Sequence, residues 1–118
     1  MLLHEKKCAA CHGDTPALSP DEVETLLGQL HGGWQIEAGK KLVKKFPFKN
    51  FSAPMQLANA VAVVADSENH HPDLLVKWGE LKVEIWTHAI DALSESDFVL
   101  AAKIDECRAK MRVDKTEC

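Results

Sequence analysis

Nowhere in its 118 residues does this chain carry the roughly 18 successive apolar side chains that a membrane span requires. The apolar core of a signal peptide is missing too, because Met1-Leu2-Leu3 gives way at once to His4-Glu5-Lys6-Lys7. The expected compartment is therefore the cytoplasm, where Cys8, Cys11, Cys107 and Cys118 would stay mostly reduced. A basic stripe is also lacking. The formal net charge is −4, and positive charge gathers only at Lys40-Lys41 and Lys44-Lys45, as on the solvated face of a strand. Nucleic acid is accordingly not an expected partner, and neither is a membrane. No internal repeat or low-complexity run is present.

What is present is an ordinary globular composition. A hydrophobic fraction of 46% with 27% charged residues suits a folded chain, and this length supports one core but not two. Residues 1–18 read as a polar N-terminal arm, 19–111 as the folded domain and 112–118 as a C-terminal tail. Ser19-Pro20-Asp21-Glu22 opens a helix, with a serine cap, proline in the first turn and glutamate closing a capping box. Val23, Leu26, Leu27 and Leu30 give it one apolar face, and Gly32-Gly33 is its expected end. Trp34 and Ile36 alternate with polar neighbours, Ala38-Gly39-Lys40 turns the chain, and Leu42, Phe46 and Phe48 share one side of a second strand. Pro47 points to a strand end or an edge.

A second helix begins at Ser52-Ala53-Pro54. Its stripe is Met55, Ala58, Ala62 and Ala65, widened by Leu57, Val61 and Val64, so burial against the sheet or another subunit is expected. Leu74–Trp78, Gly79-Glu80 and Leu81–Thr87 form a second hairpin, and Ser94-Glu95-Ser96-Asp97 starts a last helix. The order α-β-β-α-β-β-α predicts an α+β fold. Two hairpins make a four-stranded antiparallel sheet, with three helices packed on one face.

Chemistry concentrates late in the chain. Asp66 stands four before His70-His71-Pro72, and Trp78, Thr87-His88 and Asp97 follow. Imidazole moves its proton most readily near neutral pH, so two adjacent rings and a third nearby can pass protons both ways. His70, His71 and His88 are the candidate acid–base groups, and Asp66 and Asp97 the carboxylates that would orient them. Structural roles compete. A His-His pair before proline can cap a helix, and Asp97 completes a capping box with Ser94. Asp66 lies near a helix C-terminus, where a negative charge calls for a partner such as His70 one turn later. Adjacent side chains diverge on a helix or strand, so His70 and His71 do not easily ligate one ion, and no metal is expected.

These spaced residues resemble the signature of the pterin-4a-carbinolamine dehydratases: Asp66-x-x-x-His70-His71-Pro72, the aromatic Trp78, Thr87-His88 and Asp97. Gly33-Trp34, Phe46-Pro47-Phe48-Lys49-Asn50-Phe51 and Leu93-Ser94-x-x-Asp97 extend the similarity over roughly residues 19–106. Where the family often has Glu and commonly Tyr, this chain has Asp66 and Trp78, which keep the chemical type. Ala92 replaces a usual glycine. The resemblance implies loss of water from a 4a-hydroxytetrahydropterin to give the quinonoid dihydropterin, in tetrahydrobiopterin recycling, with no cofactor. Pro72, Trp78 and Trp34 are the candidate pterin contacts, with Trp86 an open alternative for the flat face that meets the ring. The resemblance also implies a homodimer or homotetramer and service to an aromatic amino acid hydroxylase. The alternative is a dimerization or interaction cofactor for a transcription factor or hydroxylase, offered by the apolar second helix.

Cys8-Ala-Ala-Cys11-His12 spells a c-type haem attachment pattern. Haem is not expected, since its attachment occurs outside the cytoplasm. The Cys8/Cys11 pair could instead bind zinc, cycle through a disulfide or remain as surface thiols.

Overall fold

Alternation of side chains builds the sheet in the computed structural model, which describes residues 2–8, 13 and 15–111. Cys11, His12, Cys118 and the tail expected at 112–118 lie outside the described residues. The strands are β1 (Gln35–Glu37), β2 (Lys41–Pro47), β3 (Asp73–Lys77) and β4 (Glu80–Ile85). They lie in the order β1-β2-β4-β3, every neighbouring pair antiparallel. Leu42 faces Ile85 and Phe46 faces Leu81, while Leu74 faces Val83 on the other flank of β4. Leu42, Phe46, Leu81, Val83 and Ile85 are buried on the face that carries the helices. Period-two patterning therefore sets the register, since a slip of one residue would expose this whole set. Pro47 is the last residue of β2, where no further ladder bond is needed.

Three helices, α1 (Pro20–Leu27), α2 (Ser52–Glu68) and α3 (Glu95–Lys110), complete the α+β arrangement expected from the element order. The α1 capping box forms as read: the Ser19 hydroxyl accepts from Glu22 N at 3.2 Å, and Glu22 Oε1 accepts from Ser19 N at 2.8 Å. The helix stops earlier than Gly32-Gly33, because Gly28 already caps it and the next two residues continue in i→i+3 bonds. In α2 the buried stripe is Ala53, Leu57, Val61 and Ala65, whereas Met55 and Ala62 face outward. The stripe expected through Met55 and Ala62 is thus displaced to the smaller and branched neighbours that approach the sheet. Asn50 Oδ1 caps the start by accepting from Ala53 N at 2.8 Å.

The segment read as a polar arm includes one core residue, Leu3, at 4% exposure. Lys103 Nζ donates to His4 O at 2.9 Å and Cys8 N donates to Glu68 Oε1 at 2.7 Å, tying residues 3–8 to α3 and α2. Among the described residues no helix is long and apolar enough to cross a membrane.

One polar knot lies inside the core. Asp105 on α3 accepts from Trp34 Nε1 at 2.9 Å and from Lys44 Nζ at 2.7 Å, and its own exposure is 5%. Lys44 is the inward charge that β2 alternation demands between Leu42 and Phe46, and Asp105 neutralises it. Trp34→Phe keeps the ring but removes the donor, leaving a buried carboxylate oxygen short of one bond. Such a loss costs about 1–3 kcal/mol. Urea unfolding should show a lower midpoint with an unchanged slope.

Candidate active site

The site begins where α2 ends. Asn69 takes a left-handed conformation (φ 51°) after the last helical turn, a role that asparagine fills better than most residues. This reversal sends the next two side chains in different directions. His70 turns inward and is 6% exposed, whereas His71 stays at the surface. Pro72 then biases His71 toward extended backbone and leads into β3.

Asp97 receives His70. Its carboxylate is fully buried in the first turn of α3, and Oδ1 lies 2.7 Å from His70 Nε2. Oδ2 accepts from Thr87 Oγ1 and from Ser94 N, each at 2.8 Å. The single Thr87 proton is spent on Asp97, so the contact of 2.7 Å between Ser94 Oγ and Thr87 Oγ1 has Ser94 as donor. An ionised carboxylate only accepts, which makes His70 Nε2 the donor and puts the lone pair of the neutral ring on Nδ1. The capping role and the histidine-orienting role of Asp97, which compete in the sequence, coexist here on separate oxygens.

Asp66 pairs with His71 rather than with His70. The distance from Asp66 Oδ1 to His71 Nε2 is 3.0 Å, and both groups are exposed. The i+4 expectation assumes a continuing helix, and the left-handed Asn69 ends that geometry.

His88 comes from the other side. It opens a short 3-10 turn, His88–Ile90, just beyond β4. Its exposed ring lies 4.2 Å from that of Trp86, tilted by 55°. Together Asn69, His70, His71, Trp86, His88 and Ala89 line a cleft of about 240 Å³. All three candidate histidines share it.

Two aromatic candidates do not. Trp34 belongs to the Asp105 knot in the core. Trp78 is 67% exposed at the β3–β4 turn, the end of the hairpin remote from His71 and His88. Pro72 is half-buried and does not line the cleft. Trp86 is the aromatic that the cleft contains. Thr87 and Ser94, which enter the sequence pattern only as signature and capping residues, prove to be part of the network that holds Asp97. Their signal was available, because alternation along β4 puts Thr87 on the buried face, where a hydroxyl must find a partner.

Behind Trp86 runs a charged chain on the outer sheet face. Lys41 Nζ lies 4.4 Å from the Trp86 ring centre and 3.5 Å from Glu84 Oε1, and Lys82 Nζ lies 3.1 Å from Glu84 Oε2. The hydrogen bond from Lys82, helped by the charges of Lys82 and Lys41, holds the Glu84 carboxyl below the usual range. Among the described residues no three His, Cys, Asp or Glu side chains stand together as a metal would require.

The two carboxylates predict different costs of removal. Asp97→Ala strands buried Thr87 and His70 and removes a helix-start bond, so a loss of roughly 3 kcal/mol is expected. Asp66→Ala loses only an exposed pair, worth about 0.5 kcal/mol. Thermal unfolding of both variants beside the unaltered protein measures the contrast.

Comparison with known proteins bears on the same residues. A model of the family described as "Pterin 4 alpha carbinolamine dehydratase" matches residues 16–107, which contain the whole cleft. A protein of Rickettsia bellii is 48% identical over 103 residues, covering 87% of this chain and 91% of its own. One from Nitrosomonas eutropha is 47% identical over 103 residues, covering 87% of this chain and 90% of its own. Both are named "Putative pterin-4-alpha-carbinolamine dehydratase". Among solved structures, a "transcriptional coactivator/pterin dehydratase" of Brucella melitensis superposes with a TM-score of 0.73 at 27% identity. It covers 78% of this chain and 98% of the other. A pterin dehydratase-like protein described as a RuBisCO assembly factor shares the fold, with a TM-score of 0.55 at 18% identity over 65% of this chain and 90% of its own.

Proposed function

This chain belongs to the pterin 4 alpha carbinolamine dehydratase family, and from that premise we propose that it eliminates water from a 4a-hydroxytetrahydropterin. The observation that carries the reading is the convergence of His70, His71 and His88 on one cleft. In the reaction the C4a–O bond breaks and the hydroxyl leaves as water after receiving a proton. Loss of the N5 proton lets that electron pair form the C4a–N5 double bond of the quinonoid dihydropterin. The elimination is redox-neutral, so it calls for no redox cofactor. It needs one proton donor and one acceptor, and positioned groups of that kind contribute about 10²–10⁴-fold.

In this reading His71 and His88 are the proton-transfer pair. Both rings are exposed to the cleft, where a substrate can reach them. His70, fixed by Asp97, orients the pterin or shares the transfer, and Asp66 holds the His71 ring. Tetrahydrobiopterin recycling in the cytoplasm, beside an aromatic amino acid hydroxylase, is the proposed setting. Single replacement of His71 or His88 with Ala should lower kcat/KM for carbinolamine dehydration by about 10²–10⁴-fold. His4→Ala and His31→Ala, remote from the cleft, should change it little. Equal turnover in all four variants would remove the assignment.

A second reading, assembly through α2, has its own support. Val63 is 71% exposed and Met55 38% exposed on that helix, and the Brucella melitensis neighbour is titled a coactivator as well as a dehydratase. The proposed product is a homodimer or homotetramer. Sedimentation velocity on Val63→Glu should give a smaller species than the unaltered protein. An unchanged mass would place the contact elsewhere.

A further inference from the structure

The three histidines of the cleft are held by different means. His70 has Asp97 and His71 has Asp66. Among the described residues nothing hydrogen-bonds the His88 ring, which sits exposed on a 3-10 turn and touches the indole of Trp86. A histidine on a surface turn with no such anchor would divide its time among rotamers, and a proton-transfer group must be in one of them.

We infer that Trp86 is a positioning residue for His88, and that Lys41 fixes Trp86. The inference rests on the dehydratase reading of this cleft. The tilted ring contact, 4.2 Å between centres at 55°, is a close one, just under the roughly 4.5–7 Å separation of most aromatic pairs. Trp86 is itself half-buried and held on the sheet. Lys41, one residue beyond the Leu42–Ile85 pair, brings its ammonium to 4.4 Å from the indole centre. Glu84 holds that ammonium from β4. The chain Glu84–Lys41–Trp86–His88 thus runs from the rigid centre of the sheet to the cleft. It does for His88 what a carboxylate does for each of the other two rings.

A competing role for the same indole is a platform on which the bicyclic substrate stacks. Kinetics separates them. Loss of a positioning group lowers kcat, whereas loss of equal binding to ground and transition state raises KM alone. Trp86→Ala should lower kcat about ten- to a hundredfold with little change in KM, the scale expected from lost alignment. Trp86→Phe, which keeps a ring, should recover most of the rate. In NMR spectra the His88 ring protons should move downfield in Trp86→Ala, as the ring-current shielding by the indole disappears.

A KM rise at unchanged kcat would overturn the inference in favour of the platform. Unchanged His88 resonances in Trp86→Ala would overturn it by denying the stack. An unaltered protein with no turnover is a different result: it would overturn the dehydratase reading itself, while an active enzyme indifferent to Trp86 would overturn only the inference.

Discussion

A single buried carboxylate organises this molecule's chemistry. Asp97 accepts from His70 at the end of α2, from Thr87 just past β4 and from the Ser94 amide at the start of α3. Three elements distant in sequence are therefore locked to one charged group from which water is excluded. Inside a protein such bonds are stronger than in water, and an unmet one is correspondingly costly. The network is fully satisfied, since no buried side-chain nitrogen or oxygen among the described residues lacks a partner. Fold and site are here the same set of contacts: the group that starts α3 also aims a cleft histidine.

The cleft then divides into a buried part and a solvent-facing part. His70 is immobilised in the interior, while His71 and His88 stand at the rim with solvent access. That division suits the proposed elimination. A fixed ring can define where the substrate sits, and exposed rings can exchange protons with water between turnovers. The exposed pair Asp66–His71 orients without desolvating, so it contributes little to stability while still setting a tautomer. Orientation without a large folding contribution is what a surface ion pair offers.

Much of this was legible in the residues. Period-two runs gave both hairpins, the Ser19 and Ser94 boxes gave two helix starts, and the His70-His71, His88 and Asp97 spacing gave the cleft's titratable set. What failed did so for physical reasons. The partner of Asp66 was misread because a helical i+4 rule was extended across Asn69, which leaves the helix. The sequence leaves the aromatic of the cleft open among Trp34, Trp78 and Trp86, because an indole's role depends on which side of the sheet and which end of a strand it occupies. Leu3 joined the core without any periodic signal, since a lone apolar residue in a polar run carries no pattern.

The position of the cleft follows from the same topology. α2 delivers His70 and His71 at its C-terminal end, and β4 delivers Thr87 and His88 at its own, because helix α2 and strand β4 pack together and finish on the same side of the domain. Element ends are where backbone direction changes, so adjacent residues there can serve different surroundings. Asn69 makes one histidine inward and the next outward; alternation carried past the end of β4 makes Thr87 inward, and the turn that begins at His88 leaves that ring outward. Each buried member of these two pairs binds Asp97, and each exposed member faces the cleft. A strand interior would have put every such pair on opposite faces, and a helix interior would have fixed them about 100° apart. The chemistry sits at the ends because only there can neighbours in sequence divide the work of anchoring and reaching.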